Sequence, residues 1–228
     1  MPARAVLALW LAASAPTSAV LLPPETPTPL PGETVLDESG ESHALRSLGA
    51  GTPRLLVPIF TRCGGTCPLT TLALKDALAR TPVGFRVVVL SFDPGDSASD
   101  LKRFRTRLAL PADWTLVRAT DPGATRAFLD EVGFRLRKAE GGFDHPNQTF
   151  VFSAEGVWTG TFAGSAFRED ELRAAWRRAL SKSTSGRLAA WVVRPEAWIA
   201  IACAGLGLTA FAIGFVARRS RAATFRDP

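Results

Sequence analysis

Along the middle of this chain, short unbroken apolar runs are followed by stretches whose apolar positions recur at helical spacing. RLLVPIF (54–60) and FRVVVLSF (85–92) hold apolar residues at successive positions, the pattern of strands buried on both faces of a parallel sheet. WTLVRA (114–119) predicts a third strand. After the first run, Pro68 fits the first turn of a helix, and LTTLALKDALAR continues it with Leu72, Leu74 and Leu78 turned to a core. SASDLKRFRTRL opens with Ser97 and Asp100 in capping-box spacing and predicts a second helix. PGATRAFLDEVG predicts a third, and SAFREDELRAAWRRAL a closing amphipathic helix with Leu172, Trp176 and Leu180 on one side. QTFVFSAEGVWTGTF predicts an antiparallel hairpin turning at Ala154 to Gly156, and LDESGESHALRSL, before the first core strand, is hairpin-like. Strands alternating with helices predict an α/β domain with helices on both faces of one sheet. Such sheets place their chemistry at the carboxyl ends of the strands, here where RLLVPIF meets its helix.

The flanks follow other patterns. Residues 1–19 carry Arg4, an apolar run from Ala5 to Ala13, and small residues Thr17 and Ala19 ahead of a cleavage point, the layout of a secretory signal peptide. Residues 20–33 are proline-rich and predict an extended linker or arm. The folded domain is expected over 34–180 and a juxtamembrane hinge over 181–196. Residues 197–217 have no charge and are long enough to cross a membrane, and the tail 218–228 carries Arg218, Arg219, Arg221 and Arg226. The expected topology is a single pass through the cell membrane, with the domain on the periplasmic side and the C-terminus in the cytoplasm.

The composition, 46% hydrophobic and 21% charged over 228 residues, is that of a globular protein. A net charge of +6 and a pI near 10.0 would suit a nucleic-acid partner. The arginines, however, are spread along helices and tail without interleaved aromatics, in a chain expected to be exported, so no nucleic-acid partner is expected.

The remaining signal is FTRCGGTCPLT (60–70). Cys63 and Cys67 are the cysteines of the domain, Cys203 falling in the expected span. A structural disulfide would close too small a loop to stabilise much. Thiol redox chemistry and a soft metal site remain. A helix N-terminus and Arg62 beside the pair are expected to favour thiolate. Two thiolates with an imidazole suit copper. Of two histidines, His43 sits in the hairpin-like stretch and is expected at the surface, while His145, in the glycine-rich loop GGFDHPNQ just before the strand TFVF, is the better ligand candidate. Asn147-Gln148-Thr149 matches a glycosylation acceptor by pattern and is taken as coincidence.

Three segments in order, FTRCGGTCP, LSFDP (90–94) and DHPNQTFVFSAEG, resemble the SCO/SenC family of copper-binding proteins over about residues 33 to 180. The resemblance implies a thioredoxin-like fold with a central mixed sheet. It implies a copper chaperone, not an enzyme, holding Cu(I) or Cu(II) through Cys63, Cys67 and His145, with Asp93 near the site. It further implies delivery to a cytochrome c oxidase subunit or another copper acceptor protein. Oxidation of the pair to a disulfide would remove the thiolate ligands and lower copper affinity. Arg62 stands where the family often has histidine, Gly64 and Gly65 replace bulkier residues, and the anchor is C-terminal. Pro146 resembles the proline that faces the cysteines of thioredoxin-like oxidoreductases. The alternative is therefore a membrane-tethered thiol–disulfide oxidoreductase with Cys63 and Cys67 as its redox pair.

Overall fold

The computed structural model describes residues 28–181 and the backbone of 20–21. Within the described residues the fold and the site belong to one compact unit. The described residues hold ten strands: β1 (Val20–Leu21), β2 (Thr34–Asp37), β3 (Ser42–Ala44), β4 (Arg54–Ile59), β5 (Arg86–Ser91), β6 (Thr115–Ala119), β7 (Arg137–Ala139), β8 (Gly142–Asp144), β9 (Gln148–Phe152) and β10 (Trp158–Ala163). Four α-helices, α1 (Thr66–Arg80), α2 (Ala98–Leu108), α3 (Pro122–Glu131) and α4 (Glu169–Ser181), fall where the helical periods predict them.

Eight strands form one mixed sheet in the order β1-β10-β9-β4-β5-β6-β2-β3, with β7 and β8 paired separately. The continuous apolar runs become its parallel centre, β4-β5-β6. All six residues of β4 are buried, as a strand covered on both faces requires. The predicted hairpin β9–β10 pairs antiparallel and joins the centre through β4. This is a mixed α/β, thioredoxin-like fold.

Local chemistry sets the helix starts. The Ser97 hydroxyl accepts from the Asp100 amide at 3.3 Å, and the Asp100 carboxylate accepts from the Ser97 amide at 2.8 Å, the reciprocal cap that the spacing predicts. Asp121 caps α3 by accepting from the amides of Gly123 and Ala124, with Pro122 in the first turn.

Two local expectations change. Part of the proline-rich arm lies on the sheet: β1 pairs with β10, and the Thr28 carbonyl accepts from the Trp158 amide at 3.0 Å. The stretch before His145 is not simply a glycine-rich loop, because β7 and β8 form a short hairpin there. Its strands are three residues each and its first is fully exposed, so no apolar alternation announced it. Among the described residues no helix is long and apolar enough to cross a membrane. The expected signal peptide, most of the hinge, the span 197–217 and the basic tail lie outside the described residues.

Candidate metal centre

β4 ends at Ile59, and the chain passes through Phe60, Thr61 and Arg62 to Cys63 before α1 begins at Thr66. Cys67 is thus fixed on the first turn of α1, whereas Cys63 sits on the preceding loop. The loop is pinned from below by Asp96. This buried carboxylate accepts from the Thr61 amide at 2.8 Å, the Thr61 hydroxyl at 2.6 Å and the Ser91 hydroxyl at 2.5 Å. A charge at that depth is tolerable because its oxygens are satisfied, and it ties the end of β4 to the end of β5.

Both thiols are free and buried. Cys67 Sγ lies 3.6 Å from His145 Nε2, across 78 positions of sequence. His145 Nδ1 is 2.9 Å from the Pro146 carbonyl, which only accepts, so Nδ1 carries the proton and Nε2 presents its lone pair to Cys67. Four phenylalanines build the surroundings. The Phe134 ring stacks on His145 at 5.2 Å, while Phe60 and Phe92 meet it edge-on at 5.9 and 5.5 Å; Phe143 packs against those two. Single phenylalanines scattered over 83 positions gave no sequence signal for this enclosure.

The loop after His145 is anchored to the same helix: the Thr70 hydroxyl donates to Asn147 Oδ1 at 2.8 Å. One turn separates Thr70 from Cys67, so the bond holds the histidine loop against the cysteine helix. Asn147 is thereby engaged and Thr149 is fully buried in β9, which fits coincidence for the glycosylation pattern.

The expectation of an activated thiolate fails at Cys67. Burial pushes its thiol up, to about 12; a backbone hydrogen bond from Phe60 pulls the other way, and neighbouring Cys63 pushes it further up. Nor is Arg62 available to the sulfurs. Its guanidinium donates to buried Asp93 Oδ2 at 2.5 Å, so Asp93 is engaged by Arg62. The reduced, metal-free chain should therefore alkylate slowly at Cys67 near neutral pH. Because the reactive thiolate fraction rises until pH reaches the pKa, peptide-mapped iodoacetamide labelling is expected to climb about tenfold per pH unit with no plateau below about pH 10. A plateau near pH 7 would show that the thiol is activated after all.

The donor types suit a soft ion. A separation of 3.6 Å between sulfur and nitrogen is what one ion spans with bonds of about 2.3 Å to sulfur and 2.0 Å to nitrogen. The site is only part-closed: the donor atoms of Cys63, Cys67 and His145 do not all lie within 4.8 Å of one another among the described residues. The chain between the two cysteines is open at Gly64 and Gly65, where a Cβ would meet nothing within 4 Å. His43 is elsewhere, on β3 at the sheet's outer edge, half-buried and 2.9 Å from Asp37 Oδ2.

No protein-family model and no curated protein matches the sequence. Solved structures do. A candidate electron transfer protein from Aquifex aeolicus VF5 is 31% identical, with a TM-score of 0.63, covering 69% of this chain and 95% of its own. BsSco, a member of the Sco family of cytochrome c oxidase assembly proteins in which a disulfide switch has been identified, is 21% identical, with a TM-score of 0.60 over 72% of this chain and 99% of its own. Copper-bound ScoI from Arabidopsis thaliana is 17% identical, with a TM-score of 0.55 over 69% and 98%.

Proposed function

We propose a function for a chain that belongs to the same family as the Aquifex protein and whose structural neighbours are Sco proteins: it is a copper chaperone. The single observation that carries this is the 3.6 Å approach of Cys67 Sγ to His145 Nε2, on a ring whose other nitrogen is held by the Pro146 carbonyl at 2.9 Å. Copper is the cargo. Cys67 and His145 are two of the donors, Cys63 the third, and each cysteine gives up its proton on binding. The aromatic enclosure keeps water from the half-buried ring and sets its orientation. Asp93 neutralises Arg62, so no cation faces the thiols. Delivery is to a cytochrome c oxidase subunit or a similar acceptor protein, from a domain tethered at the outer face of the cell membrane by residues 197–217.

A raised Cys67 thiol suits this role better than that of an attacking group in thiol–disulfide exchange, which is fastest when the thiol titrates near ambient pH. Anaerobic Cu(I) titration of the reduced chain against a competing chelator is expected to give one tight copper per chain. A chain that takes up no copper tightly would make the oxidoreductase the better reading. The topology has its own check: a reporter fused after Arg219 is expected to be active in the cytoplasm, and activity on the far side would overturn the tether.

A further inference from the structure

Between α3, the β7–β8 hairpin and the turn after β5 lies a cleft of about 700 Å³. Its apolar lining is the partly exposed ring of Phe143 with exposed Pro94 and Pro122, backed by the buried rings of Phe60 and Phe92, which also pack on His145, so whatever fills the cleft lies one ring away from the metal site. Three cations line it, Arg62, Arg126 and Lys138; the one lining acid, Asp93, is buried and held by Arg62. A second recess, of about 770 Å³, shares Arg126, reaches His145 and Pro146, and adds Arg135 and Arg137. Its two acids each face an arginine, Asp130 at 3.9 Å from Arg126 and Asp144 at 3.6 Å from Arg137. Lys138 and Arg135 make no ion pair among the described residues, so the surface around His145 is positive on balance. Nearby in the chain, Leu69 on the first turn of α1 is 63% exposed, the large hydrophobic left uncovered among the described residues.

We propose that this cleft is the docking site for an acidic segment of the copper acceptor, anchored by an apolar side chain on this apolar lining. Only the occupant's identity as copper acceptor rests on the chaperone reading. An apolar lining inside a cationic rim selects for a ligand that is both greasy and negative. A small inorganic anion would leave Phe143, Pro94 and Pro122 in water, and a flat anionic bilayer would meet the cations without filling the cleft. The rim cations also raise the local concentration of an acidic partner at the face where the metal leaves.

The test uses the full chain in neutral phosphatidylcholine vesicles and a labelled peptide of about ten alternating glutamates and phenylalanines, read by fluorescence anisotropy. Binding is expected to weaken about tenfold in Lys138→Glu with Arg126→Glu, and on raising salt from about 0.1 to about 1 M, where the screening length falls from about 10 to about 3 Å. Arg80→Glu, at the far end of α1 and roughly 20 Å from Cys67, should leave it unchanged. Lys138→Glu alone keeps the test valid if Arg126→Glu disturbs the hairpin, whose Leu136 carbonyl Arg126 holds. A Lys–Phe peptide that binds as well, or an acidic peptide indifferent to the reversals, would overturn the proposal. So would loss of binding in phosphatidylglycerol vesicles, which would give the cations to the bilayer. Peptide affinity should survive Cys63→Ser with Cys67→Ser, which separates failure of docking from failure of the copper reading.

Discussion

Replacing Cys67 by serine is expected to abolish tight Cu(I) binding, lowering affinity about a hundred- to several-thousandfold. A small soft-metal site is worth roughly 10–16 kcal/mol, so each of three donors supplies about 3–5 kcal/mol, and a hydroxyl does not replace a thiolate for a soft ion. The fold should tolerate the change. Serine is smaller than cysteine, and its hydroxyl can donate to His145 Nε2 in place of the thiol. Competition with a chelator under anaerobic conditions, beside a melting curve, separates loss of the ligand from loss of the fold. Cys63→Ser should cost as much. His145→Ala should weaken binding less and alter the Cu(II) spectrum, because both thiolates remain. Unchanged affinity in Cys67→Ser would remove the proposed ligand set.

The second large effect lies at the other end of β4. Arg54 is 1% exposed, a charge held inside the fold. Its Nη1 donates to the carbonyls of Arg46 at 2.7 Å and Leu48 at 3.1 Å, and Nη2 to that of Ala154 at 3.0 Å. Burial pulls the guanidinium down from its usual range, opposed by Glu155. One side chain thus ties the segment before β4 to the β9–β10 turn. Gly156, at φ +84°, is the residue that turn needs; a Cβ there would come within 3.0 Å of the guanidinium. Arg54→Met fills much of the volume but strips several carbonyls of their donor, at a cost of about 3–5 kcal/mol. For a domain of this size that lowers the melting temperature by about 10 °C or more. Arg54→Lys, which keeps the charge and loses the fork, should fall between. A methionine variant melting within a few degrees of the parent would show that the carbonyls find other donors.

Much of this protein is local, and the local part was legible. The Ser97–Asp100 and Asp121 caps, the apolar runs of β4 and β5 and the β9–β10 hairpin each depend on neighbours within a few positions. So does the placement of two cysteines about the junction of a strand end and a helix start. His145 was preferred to His43 for its place before the strand TFVF, and the resemblance to SCO/SenC proteins then gave it the ligand role.

What the sequence could not decide was the state of those groups. Helix N-terminus and Arg62 argued locally for a thiolate, yet burial by residues from distant segments outweighs them at Cys67, and Asp93, 31 positions from Arg62, claims the guanidinium. The same holds for the phenylalanines around His145, for Arg54, whose Ala154 partner is 100 positions away, and for the short β7–β8 hairpin that helps form the cationic cleft. Backbone choice at each element is a sum over nearby residues that sequence displays directly. Burial, protonation and charge pairing are sums over whatever the folded chain brings alongside, and only the tertiary structure supplies those neighbours.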